Sequence, residues 1–99
     1  MKIVENRTGD RIQLDIEGRV ETNTAPQLQQ AVLNAFQKGS HLVLNFTKVP
    51  YISSAGLRAL LIGQKTAKSK RGSMKLTGVS TAVMGIFKQT GFAKLLTIE

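Results

Sequence analysis

The stretch from His41 to Leu61 constrains this chain most. Leu42, Val43, Leu44 and Phe46 form a nearly continuous apolar run, interrupted only by Asn45. Such a run predicts a strand covered on both faces, as in a parallel sheet lying between helices. A loop, Thr47-Lys48-Val49-Pro50, follows. From about Ser54 to Lys70 the pattern becomes helical. At about 100° per residue, Leu57, Leu60, Leu61 and Gln64 cluster on one side, the expected core face. Ser54, Arg58, Ile62, Lys65 and Ser69 fall along another stripe, which is read as facing outward. Two adjacent serines, Ser53 and Ser54, stand where the strand hands over to the helix.

The flanking sequence fits the same plan. Lys2 to Arg7 reads as a short strand. Arg11 to Val20 alternates Ile12, Leu14, Ile16 and Val20 against Gln13, Asp15 and Glu17, the period of a half-buried strand. Gly9-Asp10 between them predicts an antiparallel hairpin. Thr24 with Gln27 matches a capping box, with Pro26 tolerated in the first turn. Leu28, Ala31, Val32, Ala35 and Phe36 then form one apolar helix face, and Gly39 is the expected left-handed cap. Met74-Lys75-Leu76-Thr77 reads as a strand. A third helix is capped by Ser80 and followed by Gly91, and Leu95, Leu96 and Ile98 suggest a last strand. The order is β-β-α-β-α-β-α-β. This predicts an α/β fold with a mixed, mainly parallel sheet of about five strands and helices packed against it, as one domain over residues 1–99.

Composition narrows the function. With no cysteine, disulfides and thiolate metal sites are excluded, and the lone His41 cannot build a metal site. No cofactor is expected. No apolar run approaches the length needed to span a bilayer, and the first residues lack the apolar core of a signal peptide. The expected setting is the cytoplasm, without membrane attachment, and the free chain is expected to be a monomer. The formal charge of +8 is unevenly distributed. Residues 1–21 hold five acids against four bases, whereas residues 22–98 hold ten bases and no acid. The densest cluster is Lys65, Lys68, Lys70, Arg71 and Lys75. Such asymmetry can steer an acidic partner or a nucleic acid, and basic residues also favour helix C-termini for electrostatic reasons alone.

Catalysis has no visible apparatus. A nucleophilic serine needs a base beside it, and no His/Asp pair can be placed next to one. No phosphate-binding loop with Gly-Lys-Ser/Thr is present. A nucleic-acid reading rests on charge alone, because Phe36, Phe46, Tyr51, Phe87 and Phe92 mostly fall at core-facing positions and are not interleaved with bases. Two readings of the serine pair remain. Either hydroxyl could cap the helix. Alternatively, one is a regulatory switch: the N-terminal dipole and free N–H groups tolerate a phosphate well, and Arg58 could add a charge-assisted contact.

The residues resemble the STAS-domain anti-sigma factor antagonists (anti-anti-sigma factors). In that family an apolar strand ends in Asp-Leu/Phe-Ser/Thr and Val, and a short loop leads to Asp-Ser-Ser/Thr-Gly-Leu opening a helix. Here the segment reads Leu44-Asn45-Phe46-Thr47-Lys48-Val49-Pro50-Tyr51-Ile52-Ser53-Ser54-Ala55-Gly56-Leu57. Gly18-Arg19-Val20-Glu21 is similar to the family's Gly-x-Leu-Asp, with Thr24-Ala25 after it. Leu76-Thr77-Gly78-Val79-Ser80 and Thr90-Gly91-Phe92 are similar to later motifs.

The resemblance implies a mechanism. The unphosphorylated protein binds an anti-sigma factor that is also a serine kinase of GHKL type, freeing a sigma factor. Phosphorylation of the serine two residues before the glycine abolishes binding, and a PP2C-type phosphatase reverses it. Anchored on Gly56, that serine is Ser54, with Ser53 a competing hydroxyl. The implied partner surface comprises Glu21, Thr22, Asn23, Asn45, Ser53, Ala55, Gly56, Arg58, Ile62 and Lys65. Glu21, Asn45 and Ser53 stand where the family usually has Asp, and Ala55 replaces the second Ser/Thr. A second expectation is an accessory STAS module that binds a nucleotide or a transporter partner without phosphorylation. A third is nonspecific nucleic-acid binding through Lys65–Lys75.

Overall fold

Gly9 adopts a left-handed backbone, φ 61°, so Thr8 and Arg11 can pair directly across a two-residue turn. That turn joins β1 (Lys2–Thr8) antiparallel to β2 (Arg11–Glu17), as the sequence predicts. The structure, a computed structural model, describes residues 1–99. It continues through α1 (Ala25–Phe36), β3 (His41–Lys48), α2 (Ser54–Ser69), β4 (Ser73–Thr77), α3 (Thr81–Thr90), a 3-10 turn (Phe92–Lys94) and β5 (Thr97–Ile98). The five strands lie in the order β1-β2-β3-β4-β5, and all neighbours after the first pair are parallel. The expected element order and mixed sheet are therefore present.

One expectation about the sheet is corrected. Each crossover steps to the next strand in the same direction, and right-handed crossovers then place all three helices on one face. The burial pattern agrees. Ile12, Leu14 and Ile16 of β2, Leu42, Leu44 and Phe46 of β3, and Met74 and Leu76 of β4 all join the core. The alternate positions Gln13, Asp15, Asn45 and Thr77 are polar and half-buried on the open face. β3 is thus not sandwiched between helices. Val43 made the run look continuous, yet it lies on the open face, in register between Gln13 and Lys75. It is buried and stands outside the core cluster. A central position between two flanking strands is enough to bury a valine side chain.

The helices follow the predicted faces with one rotation. α1 buries Leu28, Val32, Ala35 and Phe36 as expected. α2 buries Gly56, Leu57, Ala59, Leu60, Gly63 and Ala67, while Leu61 and Gln64 are only half-buried. The core face is therefore turned toward the small residues. A Cβ on Gly63 would lie 2.8 Å from both Met74 Sδ and Val32 Cγ1, so α2 approaches the sheet and α1 more closely than leucines would allow.

Several local expectations also change. Thr24 makes no side-chain cap to α1, because its Oγ1 donates to Arg19 O (2.9 Å) and accepts from Glu21 N–H (2.8 Å). Gly39 is not a left-handed cap. It is required because its Cβ would meet Asp10 O at 2.7 Å. Leu95 and Leu96 lie ahead of the last strand, which is limited to Thr97–Ile98. Ser80 caps α3 by accepting from Val83 N–H, and Gly91 (φ 81°) ends it, both as predicted.

Candidate functional site

Two connections leave the carboxyl ends of β2 and β3 and meet. Val20 N–H donates to Tyr51 O (2.9 Å) and Ser53 N–H to Val20 O (2.8 Å), making a single parallel bridge between Val20 and Ile52. Both side chains are buried, so the bridge is anchored in the core. Gly56 rests directly on it: an added Cβ would lie 2.6 Å from Val20 Cγ1 and from Ile52 Cγ1. The glycine lets the first turn of α2 sit on the bridge. This aligns the α2 N-terminus beside residues 19–25.

The two serines have separate duties there. Ser53 is the N-cap, with extended backbone, and its Oγ accepts the Gly56 N–H at 3.4 Å. Ser54 is the first helical residue and is exposed; its hydroxyl has no hydrogen-bond partner in the chain. The amides of Ser54 and Ala55 are also without an acceptor, as expected for the first turn of a helix. The N-terminal end of the helix dipole thus meets solvent beside a free hydroxyl.

The outward stripe is where the projection puts it: Ser54, Arg58, Lys65 and Ser69 are exposed and Ile62 is half-buried. Thr22, Ala55 and Arg58 line a shallow depression with Ala25, Pro26 and Gln29, between the starts of α1 and α2. Asn23 is exposed next to it. Glu21 accepts from Arg19 Nε at 3.1 Å, and the Arg19 guanidinium lies 4.6 Å above the Tyr51 ring. This Glu21–Arg19–Tyr51 cluster links the two connections on the solvent side of the bridge. Sequence reasoning missed Arg19 and Tyr51. The signal was their flanking of Val20 and Ile52, where one bridged apolar residue turns its neighbours outward.

Asn45 belongs to a different surface. It lies on the open sheet face, where its Nδ2 donates to Asp15 Oδ1 (3.0 Å) and its Oδ1 accepts from Thr47 N–H (3.1 Å) and Thr47 Oγ1 (2.6 Å). Gln13 Nε2 donates to Asp15 Oδ1 (2.8 Å) and Asn6 Nδ2 to its Oδ2 (3.2 Å). The Asp15 carboxyl is held below its ordinary range, first by Gln13, then by Asn45, with Lys48 adding a weaker charge effect against a small desolvation cost. An aspartate at position 45 would face a second carboxylate at this distance. Asn45 instead supplies the donor that Asp15 needs.

A family profile described as "Mlab, STAS domain" matches residues 3–97. The chain belongs to the STAS domain family. Among its relatives is the anti-sigma-B factor antagonist of Bacillus subtilis, 29% identical over 88 residues, spanning 89% of this chain and 81% of the relative. Among solved structures, an anti-sigma factor antagonist from Mycobacterium paratuberculosis superposes with a TM-score of 0.84 at 19% identity, covering 98% of this chain and 83% of the other. The Bacillus protein SpoIIAA in its phosphorylated form gives a TM-score of 0.76 at 16% identity, covering 99% and 91%. The two structural likenesses show a shared fold. Ser53 keeps the capping role open to an aspartate, without its charge.

Proposed function

We propose that this chain is an anti-sigma factor antagonist whose binding is switched at Ser54. In this reading the unphosphorylated protein docks an anti-sigma factor that is also a serine kinase of GHKL type, and so releases a sigma factor in the cytoplasm. The docking surface is the α2 N-terminus with Glu21, Thr22, Asn23, Ala55, Arg58 and Ile62. A PP2C-type phosphatase resets the switch. The protein acts by binding and not as an enzyme.

One observation carries the reading: the hydroxyl of Ser54 is exposed and uncommitted, while that of Ser53 is occupied as the helix cap. A kinase can reach Ser54 without breaking a structural hydrogen bond. Sequence relatives that align with most of this chain are anti-sigma-B factor antagonists. A phosphoryl group adds about −1.5 to −2 charge at pH 7. At Ser54 it would accept from the free Ser54 and Ala55 amides, so the folded chain tolerates it. The partner does not, because a charge buried without a counter-charge in an interface is expensive. The protein itself would change little, and the switch would work by altering the docking face.

The test is incubation with a GHKL-type anti-sigma kinase and ATP, followed by peptide mass spectrometry. Label on Ser54, and its loss in Ser54→Ala, supports the reading. Label on Ser53 alone would refute the assignment of the site. Label on neither residue would leave a constitutive binder, such as an accessory STAS module.

A further inference from the structure

The distribution of charge over the fold is as uneven as it is along the sequence. Every carboxylate side chain lies on β1, β2, the adjoining connections or the last residue, because residues 22–98 contain no acid. α1 carries no charge at all. α2 carries Arg58, Lys65 and Lys68, all exposed, with Arg71 just beyond its end. None of these four takes part in an ion pair; the ion pairs of the chain involve Arg19, Lys38, His41 and Lys75. Lys70 is excluded from the free set, since its Nζ donates to Phe36 O and ties the ends of α1 and α2 together. Nothing within the chain neutralises the outer face of α2.

The geometry points to a partner whose docking surface is acidic around a small apolar spot: we infer that the stripe Ser54–Arg58–Ile62–Lys65 binds an anionic protein surface, with Ile62 as its apolar centre. The inference takes its location from the proposed switch, but its charge argument stands apart from it. A protein surface is favoured over a nucleic acid by what the stripe contains. Ile62 lies half-buried between the cations, where a phosphate backbone has no use for it. The stripe has no aromatic side chain on which a base could stack. Complementary charge raises association rates and selects against wrong partners. It also gives the switch its sign. Phosphate on Ser54 places negative charge one turn from Arg58, cancels the local cationic field and faces the partner's carboxylates with a like charge.

The full chain, isotope-labelled, is titrated by NMR with a glutamate-rich peptide carrying one central leucine. Duplex DNA and phosphatidylglycerol vesicles are tested in parallel. The expected result is a set of shifts confined to the stripe on α2, and binding that weakens as salt rises from about 50 to about 300 mM. The double variant Arg58→Glu/Lys65→Glu should bind the peptide at least about tenfold more weakly, whereas Lys2→Glu/Lys48→Glu on the open sheet face should stay within about twofold. Shifts away from α2, equal losses in both variants, or tighter binding of DNA or vesicles than of peptide would overturn the inference. The kinase separates the two proposals. Kinase binding that survives Arg58→Glu/Lys65→Glu removes the acidic-partner surface and leaves the function intact. Peptide binding on α2 without binding to any anti-sigma kinase removes the function and leaves the surface.

Discussion

Val20 and Ile52 form the only β-bridge outside the five strands, and it joins the two connections that carry the site. Gly56 lies on this bridge with no room for a side chain, its Cβ position being 2.6 Å from a γ-carbon of each partner. Both neighbours are β-branched and buried, so neither can swing aside. Gly56→Ala should therefore lower stability by about 1–3 kcal/mol, read by chemical denaturation, and displace the start of α2. A fully stable Gly56→Ala protein would show that the bridge does not set the position of the helix.

The two serines predict a contrast. Ser53→Ala removes the cap and should destabilise by about 1 kcal/mol, whereas Ser53→Asp restores an acceptor and should recover most of the loss. Ser54→Ala removes a hydroxyl with no partner and should change stability by no more than about 0.5 kcal/mol. Equal effects of the two alanine variants in thermal unfolding would contradict the assignment of cap and free hydroxyl.

Asp15 predicts a pH dependence. Its carboxyl titrates below the ordinary range in the folded chain because Gln13 and Asn45 donate to its charged form. Its contribution to stability is complete above the unfolded value, about 4, and disappears as the pH falls through the lower folded value. Asp15→Asn should thus be less stable than the wild type at pH 7, and the gap should close in acid. Asn45→Asp should also be destabilised at pH 7, with recovery as either carboxylate is protonated. A stability difference independent of pH would refute this origin.

Much of the fold was legible because its signals are local. The alternation in β2, the period of α1 and the caps Ser80 and Gly91 each follow from residues close in sequence. What failed depended on distant partners. Val43 suggested a doubly covered strand because hydrophobicity does not say what covers a side chain; the one-sided arrangement follows from crossover direction. On α2 the core positions Leu57 and Leu60 were legible, but the rest of the face was not, because Gly56, Gly63 and Ala67 carry little apolar surface, yet they lie where backbones approach most closely. Thr24 matched a capping box but found better partners in Arg19 and Glu21. Of the candidate site, the common helix face of Ser54, Arg58 and Ile62 was legible from helical spacing. Its other half was not, because Arg19 and Tyr51 meet only through the bridge between Val20 and Ile52.

If Ser54 controls docking, partner affinity must follow the charge at this position. The most direct measurement is the affinity of a GHKL-type anti-sigma kinase for wild type, Ser54→Ala and Ser54→Asp at one salt concentration. Ser54→Ala should bind within about threefold of wild type, and Ser54→Asp should lose at least about tenfold while keeping its stability, as expected when a negative charge enters the docking face. Ser54→Asp binding as tightly as wild type would show that Ser54 does not control docking.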